Sequence, residues 1–190
     1  LAGMLAVASE VLIGLALGFV FQIAFAAPII AAEVISGAMG MSMATAVDPN
    51  SGAQSPALGQ YFTVVMTLVF LALGAHLHMI ALIADSYAMF PPEHAWLGKA
   101  GIETVLDFGG AMFATAVAIA LPVTLVLLLA QIVTGVISRS APSLNLFALG
   151  LPLGVLVGIA ALIAGAPMMA DMFVDLTSAA LDAARQVITR

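Results

Sequence analysis

Residues 40–56 read GMSMATAVDPNSGAQSP. Asp48-Pro49-Asn50-Ser51-Gly52 has turn chemistry, with Asn50 and Gly52 tolerant of unusual backbone angles. Asp48 is the single charge in the stretch. On either side the chain is apolar, over 2–39 before it and 57–84 after it. A polar, turn-rich segment between two such runs reads as a loop joining helices, and this reading sets the fold class. Working outward, 2–27 forms an apolar helix with Gly14 and Gly18 on one side. Pro28 kinks it, having no N–H to donate, and it resumes over 29–39. Residues 57–84 form a second long helical segment.

The charges tell where these helices lie. Only 7% of the 190 residues are charged and 64% are hydrophobic, whereas a soluble domain carries about a quarter charged residues. No Asp, Glu, Lys or Arg falls between Glu10 and Glu33, Asp48 and Asp85, Asp107 and Arg139, or Arg139 and Asp171. A membrane-crossing helix needs about 20 predominantly apolar residues, so each gap can hold one. The net charge of −6 argues against nucleic acid, which needs a basic face. With four Lys and Arg in all, the positive-inside rule has little to count. The chain has no cysteine, which excludes disulfides and thiolate-bound zinc.

Further along, 85–107 gathers charges, Pro91-Pro92, Tyr87 and Trp96. It reads as an interfacial connector, since Tyr and Trp favour the membrane–water boundary. Residues 111–138 form the next span, containing Pro122. A turn follows at 138–142, and a span over 145–166 is interrupted by Pro152. From Pro167 the pattern becomes amphipathic: Met172, Phe173, Leu176, Ala180, Ala184 and Val187 share one face, and Asp171, Asp175 and Asp182 lie opposite. The expected architecture is all-α, a single domain over 1–190 of membrane-associated helical hairpins with proline-broken helices.

Candidate chemistry is sparse. Ser42 lies in a Gly-x-Ser, but Ala44 replaces the closing glycine of a nucleophile elbow, and no strand precedes it. An intramembrane protease would pair Ser42 with His76, and nothing in the sequence sets that geometry. His76 and His78 stand two residues apart, about 200° around a helix, so they do not share a ligand face. Glu10, Glu33 and Arg139 are ionisable groups beside apolar runs, functional candidates by default in lipid. Gly14/Gly18 and the tandem Gly150/Gly154/Gly158 are spaced as close-packing contacts, because small residues let backbones approach. Three proline-broken helices are also compatible with a small secondary transporter. From the residues alone, 40–56 is a plain connection between helices.

Several blocks taken in order resemble the FliR family of flagellar export-gate proteins, called SctT in injectisomes. They are Glu10 with LIGLALGF at 12–19, GMSMATAVDPNSGAQSPALGQ at 40–60, FLALGAHLHMI at 70–80 running to Ser86 and FP at 90–91, ALP at 120–122, and GVISRSAPSLNLFALGLPLGVLVG at 135–158. The family often places aromatics around the Ala-Thr of the loop; here those places hold Met43 and Ala46. Family members are longer at the N-terminus, so the resemblance implies that the first helices are absent. It further implies a non-enzymatic subunit without cofactor or metal in a bacterial inner-membrane hetero-oligomer. There it would join FliP-like and FliQ-like subunits, with FlhB-like and FlhA-like proteins adjoining, and unfolded export substrates would cross through the enclosed pore. The loop would plug that pore, with Gly40, Met41, Met43, Asp48, Pro49, Asn50 and Gly52 as gating residues. Arg139, Pro142 and Asn145 would fix a turn at a subunit contact, and Gly14, Gly18, Gly150, Gly154 and Gly158 would pack helices or meet partners.

Overall fold

Five helices account for the regular structure in a computed structural model that describes residues 2–41, 57–89, 99–140 and 146–189. They are α1 (Ala2–Ala38), α2 (Ala57–Ala72), α3 (Ala75–Met89), α4 (Lys99–Ser140) and α5 (Leu146–Thr189). No strand occurs among the described residues, as the all-α expectation requires. Among the described residues, three helices are long and apolar enough to cross a membrane, within Val7–Ala38, Lys99–Arg139 and Pro152–Thr189. At 37, 42 and 44 residues, α1, α4 and α5 are roughly 55–66 Å long, about twice the hydrocarbon thickness of a bilayer. Each therefore has more length than a single perpendicular crossing uses.

Prolines lie inside these long helices: Pro28 in α1, Pro122 in α4, Pro152 and Pro167 in α5. A proline forfeits one backbone hydrogen bond, and the helix resumes beyond it because the neighbouring turns remain bonded. The sharp break occurs elsewhere. Residues 57–84, expected as one helical segment, divide at Leu73-Gly74 into α2 and α3, bent by 67°. Gly74 has φ of 65°, a left-handed conformation that costs other residues roughly 1–2 kcal/mol. The Leu73 and Gly74 N–H groups close the last turn on Val69 O and Leu71 O. The Gly74 carbonyl then accepts from the N–H groups of Leu77 and His78 and starts α3.

The connector expected over 85–107 is also shorter than its composition implied. α3 runs to Met89 and α4 begins at Lys99. Charges at 99–107 sit on a helix: Lys99 and Glu103 pair at 3.3 Å, one turn apart, and buried Thr104 donates to Ala100 O. The turn expected from 138 starts later, since α4 extends to Ser140.

The chain gathers into two compact units. The first combines Leu1–Ala27, Val64–Thr115 and Met172–Arg190. Its interior includes Leu17, Val20, Phe21, Met66, Phe173 and Leu176. Phe70 stands edge-on to Phe21 and near Phe25, with ring centroids 5.9 and 5.6 Å apart. Gly109 faces the tip of Ile23. On α5 the amphipathic pattern is realised: Phe173, Leu176, Ala180, Ala184 and Val187 are buried, while Asp175 and Asp182 are exposed. Thr177, buried on the apolar face, satisfies its hydroxyl on Phe173 O at 2.8 Å.

The second unit combines Pro28–Thr63 and Ala116–Asp171. Ala31, Ala32, Ile35, Ile119, Val123 and Leu127 are buried in it. Leu125, Leu128, Leu129, Ile132, Val133 and Val136 remain exposed along α4. So large an apolar face belongs against lipid or protein, not water.

Gly74→Ala is expected to destabilise the protein by about 1 kcal/mol or more because φ there is positive. Gly110→Ala, in open space within α4, is expected to stabilise it by up to about 1 kcal/mol by raising helix propensity. Unfolding in detergent micelles followed by circular dichroism checks both, and equal effects would refute the assignment of the break to Gly74.

Candidate functional site

The polar segment 40–56 starts where α1 ends, and the described residues define how it is rooted. A helix leaves its last four carbonyls without a partner in the next turn. At the end of α1 the Met39 N–H still bonds Ile35 O at 2.8 Å, and the Gly40 N–H tightens onto Gly37 O at 3.0 Å. Gly40 then adopts φ of 81°, the left-handed cap that a glycine adopts without steric cost. The carbonyl of Ala38 receives a donor from another helix: Gln131 Nε2 of α4 lies 2.8 Å away. Such a bond between helices is worth on average about 0.6 kcal/mol in a membrane.

Met39 is held by α5. It is buried, only 4% exposed, against the glycines at 154 and 158. A methyl group placed on Gly154 would lie 2.9 Å from the Met39 carbonyl oxygen. One on Gly158 would lie 2.6 Å from Met39 Cγ, 2.7 Å from Cε and 2.8 Å from Sδ. The two glycines thus form a notch, one receiving the backbone and the other the flexible thioether. Two helices meet the last two residues before Gly40.

The residues singled out in the sequence fall into three sets. Gly40 and Met41 lie at this root, and Gly154 and Gly158 contact it. Met43, Asp48, Pro49, Asn50 and Gly52 lie outside the described residues, as do Ser42, Ala46, Pro142 and Asn145. The remainder are elsewhere. Gly150 has nothing within 4 Å of a notional methyl group. Arg139 is exposed in the last turn of α4, where a cation suits the helix dipole. Glu33 is exposed on α1. Gly14 and Gly18 also meet nothing within 4 Å; they border an open groove of about 290 Å³ in the first unit, beside Met79, Leu82 and Ser86. Glu10 lines the same groove, and its Oε1 is shielded from solvent without a hydrogen-bond partner.

His76 and His78 follow the bend at Gly74. His78 Nδ1 donates to Gly74 O at 3.1 Å, and His76 Nδ1 is buried without a partner. No group of three or more metal-ligating side chains occurs among the described residues. Gln131 and Met39 were not legible as site residues in the sequence. The one available signal was that Gln131 places an amide within the uncharged stretch between Asp107 and Arg139.

Comparison with known proteins bears on what this loop root belongs to. Residues 1–180 match the family model described as bacterial export proteins, family 1. The chain belongs to this family. It is 36% identical over 161 residues to the flagellar biosynthetic protein FliR of Escherichia coli (strain K12), which covers 85% of this chain and 62% of that protein. It is 32% identical over 189 residues to FliR of Pectobacterium carotovorum subsp. carotovorum, covering 100% of this chain and 72% of the relative. A third relative, the surface presentation of antigens protein SpaR of Shigella flexneri, is 29% identical over 150 residues, covering 79% and 58%. The matched length is thus about three fifths to three quarters of these relatives.

A methyl group at 154 has backbone in its way and one at 150 does not. Gly154→Ala is therefore expected to cost about 1–3 kcal/mol by overpacking, whereas Gly150→Ala is expected to be neutral or mildly stabilising. The unfolding midpoint of each variant in micelles measures the difference.

Proposed function

We propose that this chain is a subunit of a flagellar-type (type III) protein export gate in a bacterial inner membrane, and that the loop rooted at Gly40 closes its pathway. Family membership over 1–180 is the observation that carries the first part. The relatives are named flagellar biosynthetic protein FliR and surface presentation of antigens protein SpaR. The long apolar helices and the exposed apolar face of α4 fit a chain surrounded by lipid and by other apolar subunits. FliP-like and FliQ-like proteins are the proposed partners, with FlhB-like and FlhA-like proteins adjoining, and the transported species is an unfolded export substrate. The role is mechanical, not catalytic.

A closing element has to exclude ions and still yield to a passing polypeptide. Met41 and Met43 supply deformable apolar packing, and Asp48 to Gly52 supply a bend. Irregular polar backbone at membrane depth is tolerated only where it is buried in protein or lines water. A loop facing a pathway meets that condition. The root described above is a fixed origin for such a loop.

Two measurements test the proposal. Co-expression with FliP-like and FliQ-like subunits in mild detergent is expected to yield a hetero-oligomer; a monomer under those conditions refutes gate membership. Deleting 43–52 is expected to raise the ion permeability of the assembled gate in lipid vesicles. Unchanged permeability with assembly intact refutes the plug. The 67° break between α2 and α3 favours, as a second reading, a small-solute transporter, which would move solute when the chain is reconstituted alone.

A further inference from the structure

We infer that Gly154 and Gly158 of α5, with Gln131 of α4, are positioning residues for the closed loop, acting through Met39 and Ala38 at its root; this rests on the plug reading. Their spacing at first suggests packing of one helix on another. The contacts are more specific. Both glycines meet the same residue, and that residue directly precedes the glycine at which the chain turns out of α1.

Three observations converge on the root. The notch leaves no room for a methyl group at either glycine, but for different reasons. At 154 the obstacle is the Met39 carbonyl, which is backbone and moves only if the end of α1 moves. At 158 the obstacle is the Met39 side chain, which can swing away. One residue earlier, Gln131 bonds the Ala38 carbonyl at 2.8 Å. The two successive peptides Ala38–Met39 and Met39–Gly40 are thereby each met by another helix, the first by Gln131 of α4 and the second by Gly154 of α5. Gly40, at φ 81°, then sets the direction in which the chain departs. The tandem glycines, on this account, do not serve as a general helix-contact stripe. A methyl group on Gly150, one turn earlier on α5, would meet nothing within 4 Å among the described residues, and Gly150 has no part in the seat.

The asymmetry between the glycines gives the test. Gates are assembled with the partner subunits from full-length chain carrying each variant. Ion permeability in vesicles is then compared at equal amounts of assembled complex. Gly158→Ala is expected to raise the leak about tenfold, the factor that a modest overpacking penalty corresponds to. Met39→Ala, itself leaky, is expected to reduce the leak of Gly158→Ala, because the shortened side chain vacates the space that the new methyl takes. The same Met39→Ala is expected not to rescue Gly154→Ala, whose clash is with backbone. Gln131→Leu, at an exposed position that tolerates an apolar side chain, is expected to raise the leak roughly threefold, the factor of one average interhelical hydrogen bond. Gly150→Ala is expected to leak like the parent.

If deletion of 43–52 leaks while Gly158→Ala and Gln131→Leu seal like the parent, the positioning role is wrong and the plug stands. If Met39→Ala rescues both glycine variants equally, the backbone seat at 154 is wrong. If the deletion itself does not leak, the plug reading falls and this inference falls with it. Should Gly154→Ala fail to assemble, Gln131→Leu and the Gly158/Met39 pair still decide the matter.

Discussion

A helix that ends must find partners for carbonyls that the helix itself no longer serves. This chain meets the constraint at the end of α1 with three devices within three residues. Gln131 donates to Ala38 O, the Gly40 N–H closes on Gly37 O, and Gly40 turns the chain in the left-handed region. The seat of Met39 against Gly154 and Gly158 completes it. Because these contacts come from α4 and α5, the second unit depends on the end of α1 being placed where both can reach it.

Glycine carries two separate physical roles here, and they are not interchangeable. Gly40 and Gly74 supply positive φ at helix ends. Gly154 and Gly158 supply the absence of a methyl group where another helix comes close. Gly14, Gly18 and Gly150 do neither among the described residues, and Gly14 and Gly18 leave a groove open beside Glu10. The same spacing of four residues thus accompanies a filled notch on α5 and an empty one on α1. The difference lies in what the fold brings opposite, not in the motif.

Helical class and the positions of the apolar spans were legible because they follow from local quantities. Uncharged runs longer than a bilayer crossing and the period of the face from Phe173 to Val187 are properties of the chain alone. The break at Gly74 was not legible, since apolar periodicity continues on both sides and a glycine there reads equally well as a packing residue. The helical start at Lys99 was hidden by the charges and aromatics around it. Those residues mark an interface by composition but are also spaced as helix neighbours, as Lys99 and Glu103 are. Gly154 and Gly158 were legible as close contacts, whereas Met39, the residue they receive, was not, because a spacing of small residues does not name what comes opposite.

By itself, then, the sequence determined an all-α membrane chain, the place of the polar loop within it, and, through ordered motifs, the export family to which it belongs. Those follow from hydropathy, turn chemistry and residue identity, which need no knowledge of what lies nearby. Only the tertiary structure decided which glycines are filled, that Gln131 reaches the Ala38 carbonyl across 93 residues of chain, and that Met39 is the residue received by Gly154 and Gly158. Contacts between residues so far apart depend on how helices are brought together, and a helical period specifies a face without naming the neighbour it meets.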